Sequence, residues 1–211
     1  MNLRQKIITA LVGASLFFAA MGHLVAESRP VSLEGRALQV EMDAYIDKFT
    51  DEVGMTDASI QWVVMVLPVL EMDSPAVTYG WLLPPPDRFV PGEPEIWIAL
   101  FTFQEDMMLL MEPKMRRVVA GHEVAHMMGR CMIPDPNVEG LDEMTATILL
   151  FNHAVILESC ADIISADLTS PEDVLATLHF LKATWAADNI VLVRRIQVMQ
   201  RVIERRNTNV E

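Results

Sequence analysis

The chain has 211 residues, with 29 acidic against 16 basic side chains and a formal charge of −13. That balance excludes a nucleic-acid binder, because such binding rests on neutralising phosphates with lysine and arginine. The length suits one domain with a real core, and no internal repeat breaks that reading.

The first element is a targeting segment. In MNLRQKIITALVGASLFFAAMGHLVAES, Arg4 and Lys6 precede an apolar run from Ile7 to about Ala20, with small residues at Gly22 and Ala26. This is the pattern of a secretory signal peptide over residues 1–26. It predicts an exported domain, residues 27–211, that works in the periplasm or as a secreted protein. Stretched to Ala26, the run also reaches the roughly 20 residues of a membrane helix. An uncleaved anchor is therefore the alternative, and it would be the one membrane contact.

Next, SLEGRALQVEMDAYIDKFTDEVG places Leu38, Met42, Tyr45, Ile46 and Phe49 at helical spacing, with Gly54 as the stop. ASIQWVVMVLPVL and AVTYGWLL are rich in β-branched and aromatic residues and predict strands. PPPDRFVPGEPE follows as a surface connection, or a loop over a groove; its prolines bar it from a central strand. EIWIALFTF predicts a third strand and QEDMMLLM a short helix. A long helix is expected from about Leu141 to Asp167. Another, opened by Ser170 and Pro171, should run to about Ala187, and Asp188 should cap the last one. These elements give an α+β domain, mainly helical with one small sheet.

The stretch VVAGHEVAHMMGRCM, residues 118–132, carries His122 and His126 four residues apart, with Glu123 after the first. At 3.6 residues per turn both imidazoles leave one face, one turn apart. They can meet a single zinc ion while Glu123 points beside it towards a bound water. Flanking helix formers, and Pro113 at a tolerated first-turn position, predict a helix from about Glu112 to Arg130.

Zinc hydrolysis needs a third protein ligand. A metzincin histidine would fall at Met132, and a thioether is a poor zinc ligand. Glu158 is the better candidate, with Asp162 one turn further along the same face. One carboxylate can then bind the ion while the other accepts from a ligand histidine's free ring nitrogen, fixing its tautomer. The expectation is one Zn2+ per chain on His122, His126 and Glu158, with Glu123 as base.

With these residues the chain resembles the gluzincin metallopeptidases, and within them the HtpX and CAAX-prenyl-protease-like family. The resemblance spans about residues 96 to 184 and is carried by EIWIALFTFQEDMMLLM, RRVVAGHEVAHMMG, ESCAD and SPEDVLATLHFLKATW. It implies a zincin-like domain whose active-site helix packs on the sheet. The implied activity is a zinc endopeptidase acting on protein or peptide substrates outside the cytoplasm. His122, His126 and Glu158 would be its ligands, Glu123 its catalytic base and Asp162 the supporting acid. The interval before Glu158 is short for that family. No downstream motif clearly matches the histidine or arginine that polarises the scissile carbonyl; Arg194, Arg195 and His179 are the candidates. The competing class is a catalytically weak or inactive metal-binding scaffold of the cell envelope, which would have no use for Glu123.

His153 lies five positions before Glu158, out of phase with it, and is expected in the core or at the surface. Arg194, Arg195, Arg201, Arg205 and Arg206 form the one basic cluster, read as a solvated face that complements the last helix dipole. Met107, Met108, Met111, Met115, Met127, Met128 and Met132 are expected to fill the core. The only cysteines are Cys131 and Cys160. If His126 and Glu158 share an ion, the regions carrying them must meet, and export permits a disulfide between them.

Overall fold

The structure, a computed structural model, describes residues 32–55, 60–67, 75–83, 96–128, 131, 133–184 and 188–208. The signal or anchor segment and the proline-rich connection at 84–95 lie outside them.

Helix α1 (Leu33–Glu52) opens on Ser32, whose hydroxyl accepts from the Gly35 amide at 2.9 Å. Ser32 also donates through its amide and hydroxyl to the buried Glu105 carboxylate. Leu38, Met42, Ile46 and Phe49 recur every three or four residues and all are buried. Each such side chain contributes about 1.5–3 kcal/mol on leaving water. Gly54 ends the helix at φ +74°, a left-handed conformation that costs glycine nothing.

The sheet has three strands, β1 (Ile60–Leu67), β2 (Ala76–Leu83) and β3 (Ile96–Gln104), in the order β1-β3-β2. β1 runs parallel to β3, with Val64 opposite Phe101; β2 runs antiparallel, with Thr78 opposite Phe101. β3 is therefore central, and its Ala99, Phe101 and Phe103 are buried together on one face. Gln39 of α1 covers the outer edge of β1, donating to the Val64 carbonyl at 2.9 Å and accepting from the Val66 amide at 2.7 Å. β2 is the other edge.

Among the described residues five helices follow: α2 (Glu105–Leu109), α3 (Pro113–His126), α4 (Glu143–Leu168), α5 (Pro171–Thr184) and α6 (Ile190–Thr208). α3 packs Val119, Ala120 and Val124 on Phe101, Phe103, Met42 and Phe49, joining sheet and α1 in one core. The Arg116 guanidinium fastens α3 to α1 through both Glu41 oxygens, at 3.0 and 2.8 Å. A second core sits between α5 and α6, with Val174, Leu178, Leu192, Ile196 and Met199 around Val118 and Ala166. Met107, Met108 and Met111 are buried; Met115, Met127 and Met128 pack at the core margins, and Met132 lies outside the described residues.

The mostly helical α+β architecture agrees with the sequence reading, with three local differences. α3 ends at His126, earlier than expected, with Gly129 and Arg130 outside the described residues. α4 starts at Glu143 because the Asp142 carboxylate caps it, accepting from the Thr145 amide at 3.0 Å. α6 is capped by Asn189 rather than Asp188, through a 3.1 Å bond from the Leu192 amide, because Asn189 is the residue immediately before the first helical position, Ile190.

Candidate metal centre

Five elements line one cavity of about 450 Å3, α5 closing one side with Thr177 and Leu178. α3 brings His122, Glu123 and His126, α4 brings Glu158 and Asp162, α6 brings Arg195, and β2 brings Thr78. The approach of α3 to α4 depends on Gly121: a Cβ there would meet the Ser165 hydroxyl at 3.0 Å. That hydroxyl donates to the Val118 carbonyl at 2.8 Å, so the two helices touch through backbone and small groups one residue before His122.

His122, His126 and Glu158 form a group able to hold a metal ion, their ligand atoms all within 4.8 Å of one another. The two Nε2 atoms are 3.0 Å apart, and the Glu158 oxygens lie 3.2 Å from His122 and 3.5 Å from His126. Asp162, almost completely buried, accepts from the His122 Nδ1 at 2.9 Å. That bond leaves Nε2 of His122 facing Glu158 and His126, the geometry a metal ligand needs.

Arg195 completes the arrangement. Its Nε and Nη2 donate to the two Asp162 oxygens, both at 2.8 Å, and its Nη1 donates to Glu158 at 2.9 Å. The guanidinium thus balances the two acids with a planar fork. This corrects its reading as part of a solvated face: Arg195 shares helical phase with buried Leu192, Ile196 and Met199, whereas Arg194 and Arg201 turn to solvent. Arg206 is not simply solvated either, since it pairs with Asp167 at 2.6 Å. Of the three groups considered for polarising a carbonyl, Arg194 and His179 are exposed and outside the cavity; Arg195 is inside it but occupied by Asp162 and Glu158. His153 also stands apart, donating to the Ile133 carbonyl at 3.1 Å.

The electrostatics follow from burial and pairing. Burial drives the His122 imidazole towards neutrality, but bonds to Asp162 and Glu158 outweigh it and hold its pKa at about 10. Partial burial and the neighbouring His122 push His126 down to about 4. Glu158 is raised by burial, yet the His122 contact and the Arg195 charge bring it to about 2. Asp162 lies well below the usual carboxylate range, because Arg195 overrides its burial.

Glu123 differs from the other acids. It is buried and is absent from the ligand group, and the Thr78 hydroxyl donates to its Oε2 at 2.6 Å. Burial lifts its carboxyl above the ordinary range, opposed by His122 and by the Thr78 bond. Thr78 had no signal in the sequence, since only strand placement brings it to the cavity. Cys131 and Cys160 form a disulfide with Cα atoms 5.7 Å apart, tying the end of the histidine region to α4 two residues past Glu158.

The donor set fits a metal ion. Two imidazoles and one carboxylate, with one imidazole oriented by a buried acid, offer three ligands from two helices. Comparison of the chain with protein-family models, with curated proteins and with solved structures found no match.

Proposed function

We propose that the chain is a zinc-dependent endopeptidase that cleaves protein or peptide substrates outside the cytoplasm. The observation that carries the reading is Glu123: a buried acid beside a three-ligand set, outside it, and held in place by Thr78. A non-catalytic metal scaffold has no use for a base so placed. Zinc on His122, His126 and Glu158 would supply Lewis acidity for water and carbonyl. Glu123, its carboxyl raised by burial, takes the proton of the attacking water and returns it to the leaving amine. Asp162 holds the His122 tautomer, and Arg195 keeps Asp162 and Glu158 ionised.

The edge strand supports a polypeptide substrate. Pro75, Ala76, Val77 and Thr78 line the cavity at the start of β2, an outer strand of the sheet among the described residues. An extended segment lying beside β2 would cross the metal centre. Export follows from the N-terminal segment, Arg4 to Ala26.

The test is metal content and casein hydrolysis for the wild type, Glu123→Gln and Glu158→Gln. Glu123→Gln should keep one zinc per chain while turnover falls by about 10²–10⁴-fold. Glu158→Gln should lose the metal. Equal turnover in Glu123→Gln refutes the mechanism, and retained zinc in Glu158→Gln refutes the ligand set.

A further inference from the structure

Helix α4 is apolar enough and long enough to cross a membrane, yet its C-terminal half is committed to the metal centre through Glu158 and Asp162. Apolar side chains are exposed on both halves, and Leu150, 48% exposed, faces away from the others. Met144 is 73% exposed, Ile148 52% and Ile156 56%, and Leu149 and Ile163 are more than a third exposed. Met144, Ile148, Asn152 and Ile156 succeed one another every four residues, a single ridge along one face. At about 100° per residue, Leu157 and Glu158 turn away from that ridge towards the cavity.

We propose that this ridge is the interface of a homodimer in which the α4 helices of two copies pack antiparallel about a two-fold axis near Asn152. The proposal is independent of the peptidase reading. Four observations carry it. The ridge is nearly symmetric about Asn152, so a two-fold axis there lays each Ile148 against the other copy's Ile156. A single polar asparagine in an apolar seam fixes register.

Area and charge agree. At roughly 200 Å2 per fully exposed side chain, the five apolar residues offer about 500 Å2, which with their polar neighbours approaches the roughly 800 Å2 per partner of a standard interface. The N-terminal end of α4 is acidic, with Asp135, Glu139, Asp142 and Glu143; its other end carries the Arg206–Asp167 pair, with Arg201, Glu204 and Arg205 exposed on α6, three arginines against two acids. Antiparallel packing brings the acidic end of each copy towards the basic end of the other. A lipid surface fits less well. No lysine or arginine occurs between Arg130 and Lys182, and the carboxylates at the tip oppose anionic headgroups.

Sedimentation equilibrium of the purified protein over ~1 to ~100 μM should show a dimer. Ile148→Asp should weaken it by at least about tenfold with an unchanged melting curve. Asn152→Cys, facing its own copy across the axis, should cross-link to a covalent dimer under mild oxidation, whereas Thr147→Cys on another exposed face should not. A monomer throughout, a dimer indifferent to Ile148→Asp, or equal cross-linking at Thr147→Cys overturns the proposal. So does a monomer whose ridge instead binds phosphatidylcholine vesicles or unfolded casein, with the binding lost in Ile148→Asp.

Discussion

Replacing Asp162 by asparagine probes the centre most directly, because one buried carboxylate serves two partners. Asp162 is 2% exposed, and its oxygens meet His122 at 2.9 Å and Arg195 at 2.8 Å twice. The amide keeps the shape and can still accept from His122 through its oxygen. It loses the charge that Arg195 answers, and its NH2 group meets a guanidinium that has no acceptor to offer. Breaking a buried ion pair from one side costs about 3–5 kcal/mol, and the remaining Arg195–Glu158 contact at 2.9 Å places the expected loss at or below the lower end, about 2–3 kcal/mol. Metal affinity should fall by about 10–100-fold as the His122 imidazole loses its anionic support. The two effects separate in the double variant Asp162→Asn/Arg195→Met, which removes the stranded cation: stability should recover in large part while affinity stays low. Chelator-treated thermal melts read the first quantity, and competition with a chromophoric chelator reads the second. If Asp162→Asn matches the wild type in both, the carboxylate neither orients His122 nor anchors Arg195, and the account of the centre fails.

The pH dependence of the chelator-treated protein should peak near pH 6.5. Above it, His122, raised from 6.5 to about 10, keeps its proton in the folded state while the unfolded chain releases one, so its contribution is lost as pH rises to about 10. Below it, His126, lowered to about 4, stays neutral when folded while the unfolded chain binds a proton, so stability falls as pH falls. Zinc bound as proposed would displace the His122 proton, so binding at pH 7.5 should release about one proton, measured by calorimetry in buffers of different ionisation heat; no release would refute the assignment. Replacing both Cys131 and Cys160 by alanine should cost about 3.6 kcal/mol of stability in the chain-entropy treatment of a bridge spanning 29 positions, seen as a lower urea midpoint. Gly121→Val should push α3 from Ser165, destabilise by about 1–3 kcal/mol and weaken zinc retention; unchanged metal content would show that the helix separation does not set the ligand geometry.

Much of this centre was legible along the chain because its logic is local. His122, Glu123 and His126 lie within five consecutive residues, and helical spacing alone puts the two imidazoles on one face. Glu158 and Asp162 likewise announce themselves as two acids one turn apart in an apolar helix, where unpaired charges would be costly. The strands, the helix order and the cap at Ser170 follow from β-branched runs, periodicity and a short polar residue before a helix, whereas the caps at Ser32 and Asp142 were not read from the sequence. The phase of Arg195 with Leu192, Ile196 and Met199 was also readable, but five arginines close together concealed it as one basic face. What tertiary structure alone decided is which distant groups meet. Thr78 reaches Glu123 across 45 positions because the order β1-β3-β2 turns β2 towards α3. Arg195 reaches Asp162 across 33 because α6 folds back beside α4. The exposure of α4's first turns is equally a tertiary fact: an apolar stretch states that it needs cover, and only the packing of its neighbours determines which of its faces receive it.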